Sequence, residues 1–216
     1  MFNNVFFDLD GTLTDSAEGI INSVEYALKR LGITDYRQSE LYSFIGPPLS
    51  DSFKEFFGLS EEKCKEGVRL YREYFSEKGI YENKLYDGVR ELLDKTRAAG
   101  ITIVLATSKP QEYAEEILRY FDIGGFFDFI AAAEMNGRRN QKPDIINYAL
   151  KISGARPGQT VMVGDRKFDI LGARSVGIAS IGVLYGFGTE AELKEAGADL
   201  TAKTPEEVFE LLVAGE

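Results

Sequence analysis

Four short apolar runs punctuate the chain, at residues 5–9 (VFFDL), 101–106 (ITIVLA), 160–163 (TVMV) and 178–181 (IASI). Each gives way at once to polar or glycine positions, the pattern of a strand buried on both faces that delivers its last residues to a loop. Between and before them, apolar positions recur at helical spacing over 89–99, 111–121, 144–152 and 168–176. Strand and helix in alternation predict an α/β fold, a Rossmann-like parallel sheet with helices on both faces.

The rhythm breaks after the first strand. About seventy residues between Ser16 and Tyr86 hold helical patterns and no convincing strand: Ile20, Ile21, Val24, Ala27, Leu28 and Leu31 form one stripe, and Leu70, Tyr71, Tyr74 and Phe75 form another in a helix opened by Ser60. This predicts an all-α insert at 16–81, set into an α/β core made of 1–15 and 82–216. A helical insert placed there is expected to act as a cap, moving about junctions near residues 14–16 and 80–87. Helix starts are expected at Thr204-Pro205-Glu206-Glu207, at Thr189 with Glu192 and at Ser108 with Gln111, each a capping box; Asp15 and Ser16 are expected to cap the first helix of the insert. The glycine-rich GVLYGFG at 182–188 lacks the spacing of a phosphate-loop fingerprint and reads as a loop after a strand.

Composition narrows the chemistry. In 216 residues there are 25 basic and 35 acidic side chains, a net charge of −10, and no histidine. A nucleic-acid or anionic-membrane partner, which needs a basic footprint, is not expected. Serine–histidine and cysteine–histidine catalysis and His-ligated zinc are excluded, and Cys64 as the one cysteine excludes an intrachain disulfide. The first residues carry neither a basic segment with an apolar run nor a cleavage site, and no stretch is long enough to span a membrane, so a cytoplasmic location is expected. A monomer is the default.

What remains is carboxylates, hydroxyls and amines, and they gather where the expected strands end. Ligands of open parallel sheets bind beyond the carboxyl ends of the strands. Asp8 and Asp10 follow the first strand, Thr107 and Ser108 the second and Asp165 the third, while Lys142 opens the preceding helix. Carboxylates crowded at one edge repel unless a cation intervenes, and hard oxygen ligands of this kind suit Mg²⁺, which also takes substrate phosphate. Thr107-Ser108-Lys109-Pro110 sits where a strand turns into a helix whose first amides favour an anion. A phosphate there would take Thr107 and a nearby amide, with Lys142 neutralising another oxygen; Lys109 is the rival lysine.

DLDGTLTDS, ATSKP, the lysine of KPD and GDRKFDI, in that order, resemble the four motifs of the haloacid dehalogenase superfamily. The likeness covers the whole chain, with the helical insert similar to that superfamily's cap, and within it the chain resembles phosphoglycolate-phosphatase-like enzymes. FIGPPLSDSF at 44–53 resembles the cap segment of one of their branches. The resemblance implies an Mg²⁺-dependent phosphatase acting on a small phosphorylated metabolite such as 2-phosphoglycolate or a nucleoside 5′-monophosphate. Asp8 would be the nucleophile, forming an aspartyl-phosphate, and Asp10 the acid and base. Asp8, the Asp10 backbone carbonyl and Asp165 would ligate the metal, with Asp169 behind them. Thr107, Ser108 and Lys142 would bind phosphate. Gly46, Pro47 and Pro48, with Phe44, Phe53 and Phe56 or Phe57 nearby, and Arg138 are candidates for substrate contact. A phosphomutase of the same superfamily and a non-catalytic binder of a phosphorylated ligand are the alternatives.

Overall fold

The computed structural model describes residues 1–214. The chain forms two compact units: one comprises Met1–Thr14 and the chain from Leu85 onward, the other Asp15–Lys84.

The first unit is built on a six-stranded sheet. Its strands are β1 (Asn4–Phe7), β4 (Thr102–Pro110), β5 (Phe129–Ala133), β6 (Thr160–Gly164), β7 (Ala179–Val183) and β8 (Leu200–Ala202), in the order β5-β4-β1-β6-β7-β8. All neighbours are parallel, with Phe7 opposite Leu105 on one side and Val163 on the other. Helices α4 (Val89–Ala98), α5 (Gln111–Tyr120), α6 (Lys142–Ser153), α7 (Lys167–Val176), α8 (Glu190–Ala196) and α9 (Pro205–Val213) surround it. Phe6, Val104, Ala106 and Met162 lie on one sheet face and pack with Ile145, Ile146 and Ala149 of α6 and Ala173 of α7. Their chain neighbours Val5, Phe7, Ile103, Leu105, Val161 and Val163 alternate to the opposite face and are equally buried. Burial on both sides is why these strands read as continuous apolar runs.

Two of the six strands leave no such mark. β5 is FIAAA, and alanine favours helix over strand, while β8 is three residues long with two of them exposed. The pairing of Pro110 with Ala133 also carries β4 four residues beyond the expected end. Helix α5 therefore starts at Gln111 with Pro110 as its N-cap, and the expected box on Ser108 does not form. Thr189 and Thr204 do cap their helices, each hydroxyl accepting a backbone N–H three residues on, but the boxes stay half-made: Glu192 accepts from Arg166 and Lys167, and Glu207 from the Lys203 N–H.

The second unit is helical. It contains α1 (Ala17–Arg30), a 3₁₀ helix (Gln38–Phe44), α2 (Leu49–Phe57) and α3 (Glu61–Tyr74), which runs into a π-helical turn (Phe75–Gly79). Ile20, Ile21, Val24, Ala27 and Leu28 of α1 are buried, as are Leu70, Tyr71 and Phe75. Phe44 and Phe53 meet edge-on, 5.0 Å between centroids, and are core residues of this unit. The Asp15 carboxylate accepts the Ala17 N–H at the start of α1, whereas the Ser16 hydroxyl makes no cap. Where the chain passes between units, β2 (Thr14–Asp15) and β3 (Lys84–Leu85) pair as a two-stranded ribbon, too short to leave a pattern in the sequence. No helix among the described residues is long and apolar enough to cross a membrane.

Candidate active site

β1 is the switch point of the sheet: the chain builds outward from it through β4 and β5, then returns to its other side for β6, β7 and β8. Such a reversal opens a crevice at the carboxyl ends of the central strands. The Asp8 N–H continues the ladder by donating to Val163 O (2.9 Å), which anchors the residue just beyond β1. Asp10 follows in a tight turn, where Leu9 O accepts the N–H groups of Thr12, Leu13 and Thr14. Thr107 ends the regular part of β4, Asp165 follows β6, and Lys142 is the first residue of α6.

One buried ammonium organises the centre. Lys142 Nζ lies 2.9 Å from Asp8 Oδ1 and 2.7 Å from Asp169 Oδ1, and donates to Ala106 O at 3.1 Å. Those three partners match the three donors of an ammonium. Burial works against the charged lysine, but the carboxylates of Asp169 and Asp8 outweigh it and raise its pKa above the usual lysine value. Asp8 is pushed up to about 6, first by burial, which Lys142 opposes and the charges of Asp169 and Asp10 reinforce. Asp165 is fully buried and is raised well above the ordinary carboxylate range, by burial first and then by Asp169 and Asp8.

Asp165 is held from all sides. Its Oδ2 accepts the Phe187 N–H at 2.7 Å, from the loop that follows β7. Gly11, at φ +84, approaches so closely that an added Cβ would stand 2.2 Å from Asp165 Oδ2, and a Cβ on Gly186 would stand 2.4 Å from the Asp165 Cβ. The other carboxylate oxygen, Oδ1, is buried and has no hydrogen-bond partner. A buried carboxylate oxygen left unsatisfied is costly, which is the signature expected of a ligand position. One carboxylate oxygen from each of Asp8, Asp165 and Asp169 lies within 4.8 Å of the others, the one acidic cluster of this kind among the described residues. Ionised together, the three carboxylates would exceed the single Lys142 by two negative charges. A divalent cation with hard oxygen ligands fits that donor set and that charge.

Asp169 is thus part of the acidic cluster itself, while its Oδ2 also accepts the Arg166 N–H and caps α7. Asp10 is engaged elsewhere: Lys109 Nζ lies 3.0 and 2.8 Å from its two oxygens. The Thr107 hydroxyl is buried and accepts the Lys109 N–H at 3.2 Å, so its own hydrogen is left to donate. Ser108 is half-buried next to it. Gly46, Pro47 and Pro48 lie half-buried in the helical unit between the 3₁₀ helix and α2. Arg138 is exposed on a turn closed by the Glu134 N–H to its carbonyl, whereas Arg139 donates to Ala132 O and stacks on Tyr148.

The loop after β7 takes a part in the site that its sequence does not announce. Its glycines lack a nucleotide-loop spacing, yet Gly186 and the Phe187 N–H close around Asp165; the usable signal was the glycine density itself, which marks close backbone approach. Tyr185, just before them, packs edge-on against Tyr86 with centroids 5.1 Å apart. Burial first, and then the charge of Asp165, raise its phenol above the usual range.

Comparison with known proteins agrees with this geometry. Residues 5–183 match the model of the haloacid dehalogenase-like hydrolases. The chain is 45% identical over 193 residues to a 5′-nucleotidase of Pseudomonas aeruginosa, covering 89% of this chain and 87% of that protein. It is 40% identical over 184 residues to tyrosine-protein kinase PtkA of Mycobacterium tuberculosis, covering 85% of this chain and 62% of that longer protein. The crystal structure of a predicted phosphatase from Clostridium acetobutylicum superposes with a TM-score of 0.95 at 41% identity, over 99% of both chains. A family match across most of the chain, on a fold whose acidic centre falls at the sheet's switch point, settles the assignment: this chain belongs to the haloacid dehalogenase-like hydrolases and is a phosphoric monoester hydrolase of that family.

Proposed function

We propose that the enzyme hydrolyses a small-molecule phosphate monoester by way of an aspartyl-phosphate on Asp8, with a nucleoside 5′-monophosphate as the first substrate to test and 2-phosphoglycolate as the second. The nucleotide is placed first because the relative that shares 45% identity is a 5′-nucleotidase. In the first step an Asp8 oxygen bonds to phosphorus as the ester P–O bond breaks, and Asp10 gives its proton to the departing oxygen. In the second, Asp10 takes a proton from water, the water oxygen bonds to phosphorus and the Asp8 O–P bond breaks, releasing phosphate. Each proton transfer of this kind is worth about 10²–10⁴-fold.

The observation that carries this reading is that two carboxylates two residues apart are held by different ammonium groups, Asp8 by Lys142 and Asp10 by Lys109. Different environments for neighbouring carboxyls are how one site obtains a nucleophile and an acid from the same residue type. Lys142 restrains Asp8 in rotamer and favours its ionised, nucleophilic form. The Thr107 hydroxyl is placed to donate to a phosphate oxygen, with Ser108 beside it. Asp8, Asp165 and the Asp10 carbonyl, with Asp169 alongside, would hold Mg²⁺. When bound, that ion supplies positive charge opposite the oxygens of the transferring phosphoryl group.

The test is phosphate release from a panel of esters, including nucleoside 5′-monophosphates, 2-phosphoglycolate, pyrophosphate and hexose phosphates, with Mg²⁺ and with EDTA. Metal-dependent release that Asp8→Asn abolishes supports the reading. Release that survives at more than about 1% of wild type in Asp8→Asn ends the nucleophile assignment, since loss of a covalent nucleophile removes the route rather than tuning it. Isomerised phosphate ester in place of free phosphate would make the enzyme a mutase.

A further inference from the structure

Lys109 reaches the site by an irregularity in its strand. β4 pairs with β5 in register up to Thr107 and Ala132, and pairing resumes at Pro110 with Ala133, so Ser108 and Lys109 are extra residues with none opposite. A bulge bends its strand and re-aims the side chains it carries. Here it sends the ammonium across to the turn after β1, where it lies 3.0 and 2.8 Å from the two oxygens of Asp10, a residue 99 positions earlier. Both side chains are shielded, 5% and 14% exposed, so solvent screens the pair weakly.

We propose that Lys109 is the positioning residue for Asp10, and that the bulge in β4 exists at this point to supply it. The proposal rests on the reading of Asp10 as acid and base. A carboxylate offers about four lone-pair directions. An ammonium astride both oxygens takes the inner pair, fixes the plane of the group and leaves the outer directions for the proton in transit. Lys142 has no share in this, because its three donors go to Asp8, Asp169 and Ala106 O. The two lysines, each followed by proline in the sequence, therefore divide the work: one serves the nucleophile and the other serves proton transfer to the leaving group.

A leaving-group comparison separates this role from phosphate binding. The Mg²⁺-loaded wild type, Lys109→Met, Lys109→Arg and Asp10→Asn are assayed for kcat/KM on a nucleoside 5′-monophosphate, whose alkoxide must be protonated, and on 4-nitrophenyl phosphate, whose phenolate leaves unaided. Inorganic phosphate inhibition is measured on the same four proteins. Lys109→Met should lose about 10²-fold on the alkyl ester and less than about fivefold on the aryl ester, with the phosphate inhibition constant within about twofold of wild type. Lys109→Arg should restore most of the alkyl activity, as a second cation astride the carboxylate. Equal losses on both esters with weakened phosphate inhibition would make Lys109 a phosphate ligand and overturn the proposal, as would no loss on either. If Asp10→Asn shows the ester split and Lys109→Met does not, the proposal falls alone; if Asp10→Asn shows none, the acid–base reading falls and takes the proposal with it. Should the Met variant not fold, Lys109→Gln is read by the same criteria.

Discussion

Replacing Lys142 by methionine tests the electrostatic account of the centre without reference to turnover. The ammonium is 4% exposed and lies 2.9 and 2.7 Å from carboxylates that are 11% and 2% exposed. Removing one partner of a buried ion pair costs about 3–5 kcal/mol, because the remaining charge is stranded in a poor solvent. For a chain of this size each kcal/mol moves the melting temperature by about 2–4 °C, so a fall on the order of 6–20 °C is expected at pH 8 in EDTA. The pH dependence gives the sharper test. A carboxyl whose folded pKa is raised above its unfolded value binds protons more readily when folded, so its cost is fully present above the folded pKa and fades as pH falls towards the unfolded one, near 3.9. Asp8 stands at about 6 even with Lys142 in place, and Asp165 is raised as well. Without the ammonium Asp8 rises further, so the gap between wild type and variant should shrink by at least half, as an order-of-magnitude expectation, between pH 8 and pH 5. Added Mg²⁺ should narrow the gap at pH 8 by restoring positive charge. Calorimetry suits the assay, since it can separate the transitions of the two units. An equal gap at both pH values, unmoved by Mg²⁺, would refute the reasoning.

Three further outcomes follow from the same geometry. Asp8→Asn should be at least as stable as wild type at pH 8 without metal, because the ionised Asp8 carries a penalty above about pH 6, and that advantage should vanish by pH 4; a lower melting temperature at pH 8 would show that its bond to Lys142 outweighs its burial. Gly11→Ala combines a φ of +84 with a Cβ 2.2 Å from Asp165 Oδ2, and should cost at least about 2 kcal/mol in a denaturant titration and weaken Mg²⁺ binding by calorimetry. Thr107→Val removes a buried hydroxyl and keeps the shape, so phosphate inhibition should weaken by about tenfold while the melting temperature changes by only a few degrees.

The sheet's centre was legible in the sequence because its strands are covered on both faces: of the buried positions in VFFDL, ITIVLA and TVMV, all but Asp8 and Thr160 are apolar. The edges were not. FIAAA carries the composition of a helix and is a strand only because β4 is there to pair with, and LTA is held by β7 over three residues of which only Ala202 is buried. In the site, the order of Asp8, Thr107, Lys142 and Asp165 at strand and helix ends places them in one crevice by topology alone. The division between Lys109 and Lys142 was beyond reach, since both precede a proline and the bulge that separates their destinations depends on the register between β4 and β5. Asp169 was expected behind the ligands and stands in the acidic cluster itself, while Gly186 and Phe187 around Asp165 were hidden for the same reason as the lysines: their roles are contacts between segments that no local pattern encodes.

The position of β1 has a consequence for synthesis on the ribosome. It is the first strand made and the most enclosed, flanked by one strand that begins at Thr102 and another that begins at Thr160. Asp8 and Asp10 thus emerge long before either of the lysines that neutralise them, and pairing over such separations is slow to form. A nascent chain stalled before α6 has the paired aspartates and Lys109 but neither Lys142 nor the Asp165 and Asp169 carboxylates. The proposed catalytic centre is therefore complete only after the second half of the sheet has closed on the first, and partial chains released early lack half of its residues.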